Sequence, residues 1–141
     1  MLIRPAAPAD IPAILALIRE LAAYEHLSDA CIATEELLTR HLFSDAPGEK
    51  AAEALVAEAS AGAGGGAAQI VAYAIYFKTF STFLARPGLY LEDLYVQPAH
   101  RHQGIGTAML RRLARICTDN HFGRLEWSVL TWNAPSIAFY Q

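Results

Sequence analysis

The chain has 141 residues, 54% of them hydrophobic and 18% charged, which predicts one compact domain and argues against a disordered chain. Its net charge of −3 argues against nucleic acid as a partner and is compatible with a cationic substrate. No apolar run reaches the roughly 18 residues of a membrane span, and no basic flank precedes an apolar segment as in a secretory signal. Cys31 and Cys117 are far apart and the histidines lack ligand spacing, so we expect a cytoplasmic protein without a metal.

Hydrophobic periodicity and turn residues predict alternating strands and helices in a single domain, residues 1–141. The predicted elements are a strand at 2–4, helices at 10–24 and 34–42, strands at 54–59, 70–77 and 89–96, a helix at 104–118, a strand at 125–130 and a last helix at 135–140. Asp10 and Thr34 are expected to cap the first two helices. Loops are expected at 60–68, which is almost all glycine and alanine, and from Thr79 through Gly88.

The order of these elements indicates the fold class. Some consecutive strands are joined by short connections and others by crossover helices. We therefore predict an α/β fold with a sheet of mixed direction.

The stretch from Arg101 to Thr107 is the most informative in the chain. It joins a predicted strand to a predicted helix and carries glycines at 104 and 106. The first turn of a helix has unpaired backbone N–H groups and the positive end of the helix dipole, both of which favour phosphate. A plain loop with a helix cap has the same composition, so the residues alone leave both interpretations open.

Glu92 is the most unusual residue of the strand before that loop. A carboxylate among apolar residues is costly unless it is paired or reaches a cleft. A structural ion pair or an edge position is an equally good explanation of the sequence. Regular alternation would place Glu92 on the same face as Tyr90, Leu94 and Val96, and Asp93 on the other face.

Several motifs together resemble one family. Arg101-x-x-Gly104-x-Gly106 after a strand resembles the acyl-CoA pyrophosphate loop of the GNAT N-acetyltransferases. Leu91-Glu92-Asp93 and the segment from Trp132-Asn133 to Phe139-Tyr140 resemble the diamine (spermidine/spermine-type) branch and its thialysine-acetylating relatives. The resemblance covers nearly the whole chain.

The resemblance implies a GNAT fold, a mixed twisted sheet flanked by helices. The superfamily normally adds one more strand after the last helix, whereas this sequence stops at Gln141. A C-terminally truncated chain, a strand supplied by a partner and an uncovered sheet edge are all compatible with this departure.

The resemblance also implies acetyl-CoA as co-substrate and assigns residues to it. The expected cofactor-binding residues are Leu94, Tyr95, Val96, Arg101, His102, Gln103, Gly104, Ile105, Gly106, Thr107, Asn133, Ser136 and Tyr140. Glu92 is the expected general base and Tyr140 the expected general acid that protonates the CoA sulfur. The expected substrate-binding residues are Tyr24, Glu25, Glu92, Asp93, Glu126, Trp127 and Ser128.

The predicted function is transfer of an acetyl group to a primary amine of a small diamine, polyamine or thialysine/lysine-like substrate. Direct attack in a ternary complex is expected, and the resemblance implies a homodimer. The partner is then a small cationic amine, with no nucleic acid and no membrane. Acetylation of a protein or peptide amine and a catalytically idle acyl-CoA-binding module are the alternatives. Glu92 and Tyr140 argue against the idle module, because cofactor binding requires neither a base nor an acid.

Overall fold

The computed structural model describes residues 1–59 and 68–127. The elements are β1 (Leu2–Pro5), α1 (Ile11–Tyr24), α2 (Glu35–Phe43), β2 (Glu53–Ala59), β3 (Gln69–Ser81), β4 (Arg86–Val96), α3 (Ile105–Asp119) and β5 (Leu125–Trp127). Short 3₁₀ turns lie at Pro8–Asp10, Ser28–Ala30 and Pro98–His100. The element order agrees with the prediction, and the predicted last helix and the centre of the glycine-rich loop lie outside the described residues.

The five strands form one sheet in the order β1-β2-β3-β4-β5. The first four strands pair antiparallel, and β4 pairs parallel with β5. The parallel pair follows from the chain path, since α3 crosses over between these two strands. The predicted α/β sheet of mixed direction is confirmed.

Helices cover both faces of the sheet and define two cores. On one face, α1 and α2 pack on a core that includes Ile14, Leu17 and Tyr73. On the other face, α3 supplies Met109 and Leu113 to a second core. Both layers are needed because β3 is apolar on both of its faces, as is expected of a central strand.

The two predicted helix caps have different outcomes. The Thr34 hydroxyl accepts a hydrogen bond from the backbone N–H of Leu37 at 3.1 Å and caps α2 as predicted. Asp10 stands at the start of α1, but its side chain makes no cap bond there. Its carboxylate instead accepts two bonds from Arg4, at 2.7 and 3.0 Å, and one from the N–H of Ala7 at 2.7 Å. Asp10 therefore fastens β1 to the start of α1.

The predicted loop from Thr79 through Gly88 is largely strand. Strands β3 and β4 continue to Ser81 and from Arg86, with Thr79 opposite Gly88. Proline and glycine in sequence suggest a turn, but Gly88 has another role here. A Cβ at Gly88 would lie 2.9 Å from the carbonyl oxygen of Arg124, so glycine allows the close approach of that backbone.

Candidate active site

A β-bulge in β4 organises the site. Asp93 lies opposite Ile75 and Leu91 lies opposite Tyr76, so Glu92 is an extra residue without a partner on β3. Leu91 and Leu94 consequently both pack on the α3 side of the sheet, which regular alternation would forbid. The predicted common face for Tyr90 and Leu94 is therefore wrong, because the bulge reverses the alternation between them.

Three carboxylates, those of Glu25, Glu92 and Asp93, interact at the bulge and form an acidic cluster. Glu92 is exposed, whereas Asp93 is half-buried and accepts a hydrogen bond from the Tyr73 hydroxyl at 3.0 Å. Burial raises the pKa of Asp93, the Tyr73 bond lowers it, and the charge of Glu92 raises it. Burial also raises the pKa of Glu25, which follows the last turn of α1, and the charge of Asp93 adds to this rise.

A fourth carboxylate, that of Glu20, is held beside this cluster. Glu20 accepts hydrogen bonds from the Tyr95 hydroxyl and from Nε2 of Gln97, both at 3.1 Å. The rings of Tyr95 and Tyr73 pack with their centroids 6.4 Å apart. Burial raises the pKa of the Tyr95 hydroxyl, and its bond to Glu20 adds to the rise. This hydroxyl therefore stays protonated and remains a donor to Glu20.

Arg101 joins the predicted pyrophosphate loop to the acidic side of the site. Its Nε–H donates to the carbonyl oxygen of Val96 at 2.9 Å. Its guanidinium carbon lies 5.2 Å from the ring centroid of Tyr24 and 5.5 Å from that of Tyr95, within cation–π distance of both. One side chain thus connects the end of α1, the end of β4 and the loop before α3.

The loop itself has the backbone geometry of an anion site. Gly104 caps α3 with φ of +81° and is exposed, while the next residue, Ile105, is buried and anchors the helix. A Cβ built at Gly104 would meet no protein atom within 4 Å, so the space above the backbone is open. The first backbone bond of the helix runs from the N–H of Ala108 to the carbonyl oxygen of Gly104, so the N–H groups of the first turn have no partner within the helix. Gly106 and Thr107, which are expected to bind the cofactor, lie in that turn.

The end of β4 presents backbone groups beside the loop. The N–H of Gln97 donates to the carbonyl oxygen of Val71 at 2.9 Å. Because alternate residues of an antiparallel strand bond the same neighbour, the polar groups of Leu94 and Val96 point away from β3. The bond that Arg101 makes to the Val96 carbonyl agrees with this direction. An extended ligand arm could add to such an edge as a strand does.

The remaining predicted residues are only partly covered by the structure. Glu126 lies on β5 opposite Tyr90 and forms an ion pair with Arg124 at 2.8 Å. Trp127 lies opposite Leu91, next to the bulge. His102 and Gln103 are exposed in the loop before α3. Ser128, Asn133, Ser136 and Tyr140 lie outside the described residues.

Two residues of the site, Tyr73 and Glu20, were not among those predicted from the sequence. A tyrosine at the centre of an apolar strand is a usable signal, since a buried hydroxyl normally has a hydrogen-bond partner. Its partner could not be identified without the bulge that turns Asp93 toward it. Glu20 carried no signal, because a glutamate on a helix is ordinarily a solvated residue.

The described ranges 1–59 and 68–127 contain no group of three or more histidine, cysteine or acidic residues able to hold a metal ion. Their helices include none with the length and apolar character needed to cross a bilayer.

Known proteins resemble this chain over its whole length. The sequence model of the acetyltransferase (GNAT) family matches residues 21–141. Thialysine N-epsilon-acetyltransferase of Bos taurus is 37% identical over 142 residues, which is 100% of this chain and 81% of the relative. Spermidine/spermine N(1)-acetyltransferase-like protein 1 of Homo sapiens is 37% identical over 98% of this chain and 19% of its own length. The structure of ribosomal-protein-alanine N-acetyltransferase from Brucella melitensis has a TM-score of 0.73 at 20% identity, covering 99% of this chain and 88% of that one.

The chain therefore belongs to the acetyltransferase (GNAT) family. The predicted fold and enzyme class are confirmed, and the chain is an N-acetyltransferase.

Proposed function

We propose that this protein transfers an acetyl group from acetyl-CoA to a primary amine of a small diamine, polyamine or lysine-like molecule. The observation that carries the proposal is the acidic cluster of Glu25, Glu92 and Asp93 at the bulge of β4. Carboxylates at different positions in one cluster suit a molecule with separated ammonium groups. The names of the relatives, a thialysine N-epsilon-acetyltransferase and a spermidine/spermine N(1)-acetyltransferase-like protein, support the same substrate class.

Acetyl-CoA is the expected acyl donor, and the site fits two parts of it. The pyrophosphate would accept hydrogen bonds from the first-turn N–H groups of α3, with Gly104 leaving room for close approach. The pantetheine arm would lie along the edge of β4 that Leu94 and Val96 present. The acyl group then reaches the bulge, where the amine is bound.

The chemistry requires a neutral amine, because an ammonium nitrogen has no free electron pair and cannot attack a thioester. A free alkyl ammonium has a pKa of about 10, so most of it is protonated at neutral pH. Glu92, exposed at the bulge, is the proposed base and removes the ammonium proton through a water molecule. The amine nitrogen forms a bond to the thioester carbon, the carbon–sulfur bond breaks, and the nitrogen releases a second proton that replaces the one given to the sulfur. Tyr140 is the proposed acid that protonates the departing thiolate.

A homodimer and a cytoplasmic location complete the proposal. The homodimer is implied by the family resemblance and is tested by light scattering at enzyme concentrations used for assay. Reducing conditions in the cytoplasm suit Cys31 and Cys117, which are both free thiols. Cell fractionation tests the location.

The deciding experiment measures thiol release from acetyl-CoA with spermidine, putrescine, thialysine, lysine and a peptide N-terminus. We expect release with at least one small amine and intersecting double-reciprocal plots, the pattern of a ternary complex. Release with the peptide alone would instead support a protein N-acetyltransferase. Binding of acetyl-CoA without release would support an idle binding module.

Two variants test the roles within the site. Tyr140→Phe is expected to lower kcat with little change in acetyl-CoA affinity, and equal turnover would remove Tyr140 as the acid. Glu92→Gln is expected to lower the rate most at low pH, where fewer amines are already neutral. A loss independent of pH would assign Glu92 to substrate positioning.

A further inference from the structure

We propose that Tyr73 is a positioning residue for amine binding: its hydroxyl holds the Asp93 carboxylate oriented and charged, and Asp93 then binds an ammonium group of the substrate. The inference rests on the proposed function, because it assigns the amine to the acidic cluster. It adds a residue outside the expected site, in the middle of the neighbouring strand.

The position of the Tyr73 hydroxyl is fixed by the core. Tyr73 is 0% exposed and belongs to the core cluster on the α1 side of the sheet. It lies opposite Tyr95, and their rings are in contact at a centroid distance of 6.4 Å. A ring held in this way has little rotational freedom, so its hydroxyl is a rigid donor. The bond to Oδ2 of Asp93 is 3.0 Å long.

The bulge makes this bond possible. Asp93 lies opposite Ile75, two residues along β3 from Tyr73, and diagonal neighbours on one face of an antiparallel pair are within side-chain reach. A hydrogen bond to Oδ2 restricts the rotation of the carboxylate and thus the direction of Oδ1. The substrate therefore meets an acceptor of defined geometry, which a freely rotating aspartate would not provide.

The charges around Asp93 explain why it needs such a donor. Tyr73 faces it from β3, Glu92 lies next to it on β4, and Glu25 approaches from the end of α1. Burial and the charge of Glu92 favour the neutral acid of Asp93, and the hydrogen bond from Tyr73 favours its carboxylate. Burial and the Asp93 charge keep the pKa of Tyr73 well above its ordinary value, with a smaller contribution from Cys31, so Tyr73 remains a donor at every pH of interest.

The test compares Tyr73→Phe with Tyr76→Phe. Tyr76 is a matched control because it is 6% exposed, lies on the same strand in the core on the α3 side, and stands opposite a different carboxylate, Glu53. Each variant loses one buried hydroxyl and keeps its ring. We expect Tyr73→Phe to raise the amine KM about tenfold and to leave the acetyl-CoA KM unchanged. Tyr76→Phe should leave both KM values unchanged.

The pH profile gives a readout that a merely structural role would not move. Without the Tyr73 bond the pKa of Asp93 rises, so a larger fraction of Asp93 is neutral at a given pH. The acid limb of kcat/KM for the amine should therefore move to higher pH, by about one unit in Tyr73→Phe and not in Tyr76→Phe. An unchanged acid limb with an unchanged amine KM overturns the proposal.

A double variant tests whether Tyr73 acts through Asp93. If it does, adding Tyr73→Phe to Asp93→Asn should change the amine KM by less than about twofold. A further tenfold rise in the double variant contradicts the proposal, because it shows that Tyr73 acts independently of Asp93.

The last measurement is a carbon-13 NMR titration of the Asp93 carboxyl group, which does not depend on activity. In the unmodified protein we expect the Asp93 carboxylate to be ionised at neutral pH, and a carboxyl group still protonated there overturns the proposal. This measurement needs only the unmodified protein, so it remains a test even if Tyr73→Phe does not fold. If thiol release is absent with every amine, the proposed function fails. The titrations of the unmodified protein and of Tyr73→Phe still test the Tyr73 bond, and identical curves refute it.

Discussion

Replacing Gly104 by alanine separates the two reasons for a glycine at the start of α3. Gly104 has φ of +81° and Gly48, in the turn after α2, has φ of +80°, and a Cβ at either position would meet no atom within 4 Å. Gly48→Ala is therefore a matched control with the same backbone strain and no neighbour to clash with. Only Gly104 lies in the predicted pyrophosphate loop.

The expected change in stability follows from the backbone alone. A left-handed conformation costs a non-glycine residue about 1–2 kcal/mol, and the lower entropy of the unfolded chain offsets about 0.4–1 kcal/mol of this. Each variant should therefore lose about 1 kcal/mol of unfolding free energy. Urea unfolding measures this loss, and it should be equal in the two proteins.

The two variants, Gly104→Ala and Gly48→Ala, should differ in their affinity for acetyl-CoA. A methyl group at Gly104 would occupy the open space through which the phosphates approach the first-turn N–H groups. We expect calorimetry to show at least about a tenfold weaker Kd for acetyl-CoA in Gly104→Ala, equivalent to about 1.4 kcal/mol, and no change in Gly48→Ala. If both variants bind acetyl-CoA equally well, the loop does not hold the pyrophosphate.

Three further variants test other contacts. Asp10→Asn should lower the unfolding free energy at neutral pH by about 2 kcal/mol, because it weakens the charge-assisted bonds to Arg4. Arg4 lowers the pKa of Asp10, so the stability that this carboxylate contributes is present above its unfolded pKa of about 3.9. That contribution disappears as the pH falls through the lower folded pKa. Urea unfolding over this pH range should therefore show the unfolding free energies of Asp10→Asn and the unmodified protein converging at low pH. Arg101→Lys should raise both the acetyl-CoA Kd and the amine KM about tenfold. Lysine keeps the positive charge but loses the Nε–H that bonds Val96 and the planar group that contacts the rings of Tyr24 and Tyr95. Calorimetry measures the Kd and steady-state kinetics the KM, and a change in only one of them would contradict the bridging role of Arg101. Thr34→Ala should cost about 1 kcal/mol through loss of the α2 cap while kcat stays constant, and unchanged thermal unfolding would refute the cap.

Much of the fold could be predicted because its signals are local. The apolar stripe of α3 and the alternation of apolar and turn residues gave the element order and the mixed sheet. The strand-to-helix loop around Gly104 was located by its spacing, and the positive φ agrees with the need for glycine there. These features depend on residues close in sequence.

The rest depends on pairings between distant residues. The local sequence at Gly88 predicts a turn residue, because it does not show the carbonyl group of Arg124, 36 positions later in the chain, which approaches Gly88 in the fold. The bulge at Glu92 can be recognised only from the pairing register between β4 and β3. The partner of Tyr73 could not be identified until that register was known, and the same holds for the face that Asp93 occupies.

The bulge acts on β4 much as a single inserted nucleotide acts on a reading frame. Up to Leu91 the odd-numbered residues of the strand face α3, and beyond Glu92 the even-numbered ones do. If β4 instead paired regularly through Glu92, without the bulge, the residues beyond it would take the opposite phase, with the Asp93 carboxylate turned into the α3 core and Leu94 turned toward Tyr73. The bulge thus keeps the Leu94 side chain and the Asp93 carboxylate on their proper sides of the sheet, so a redesign of β4 that retains Glu92 must also retain the bulge.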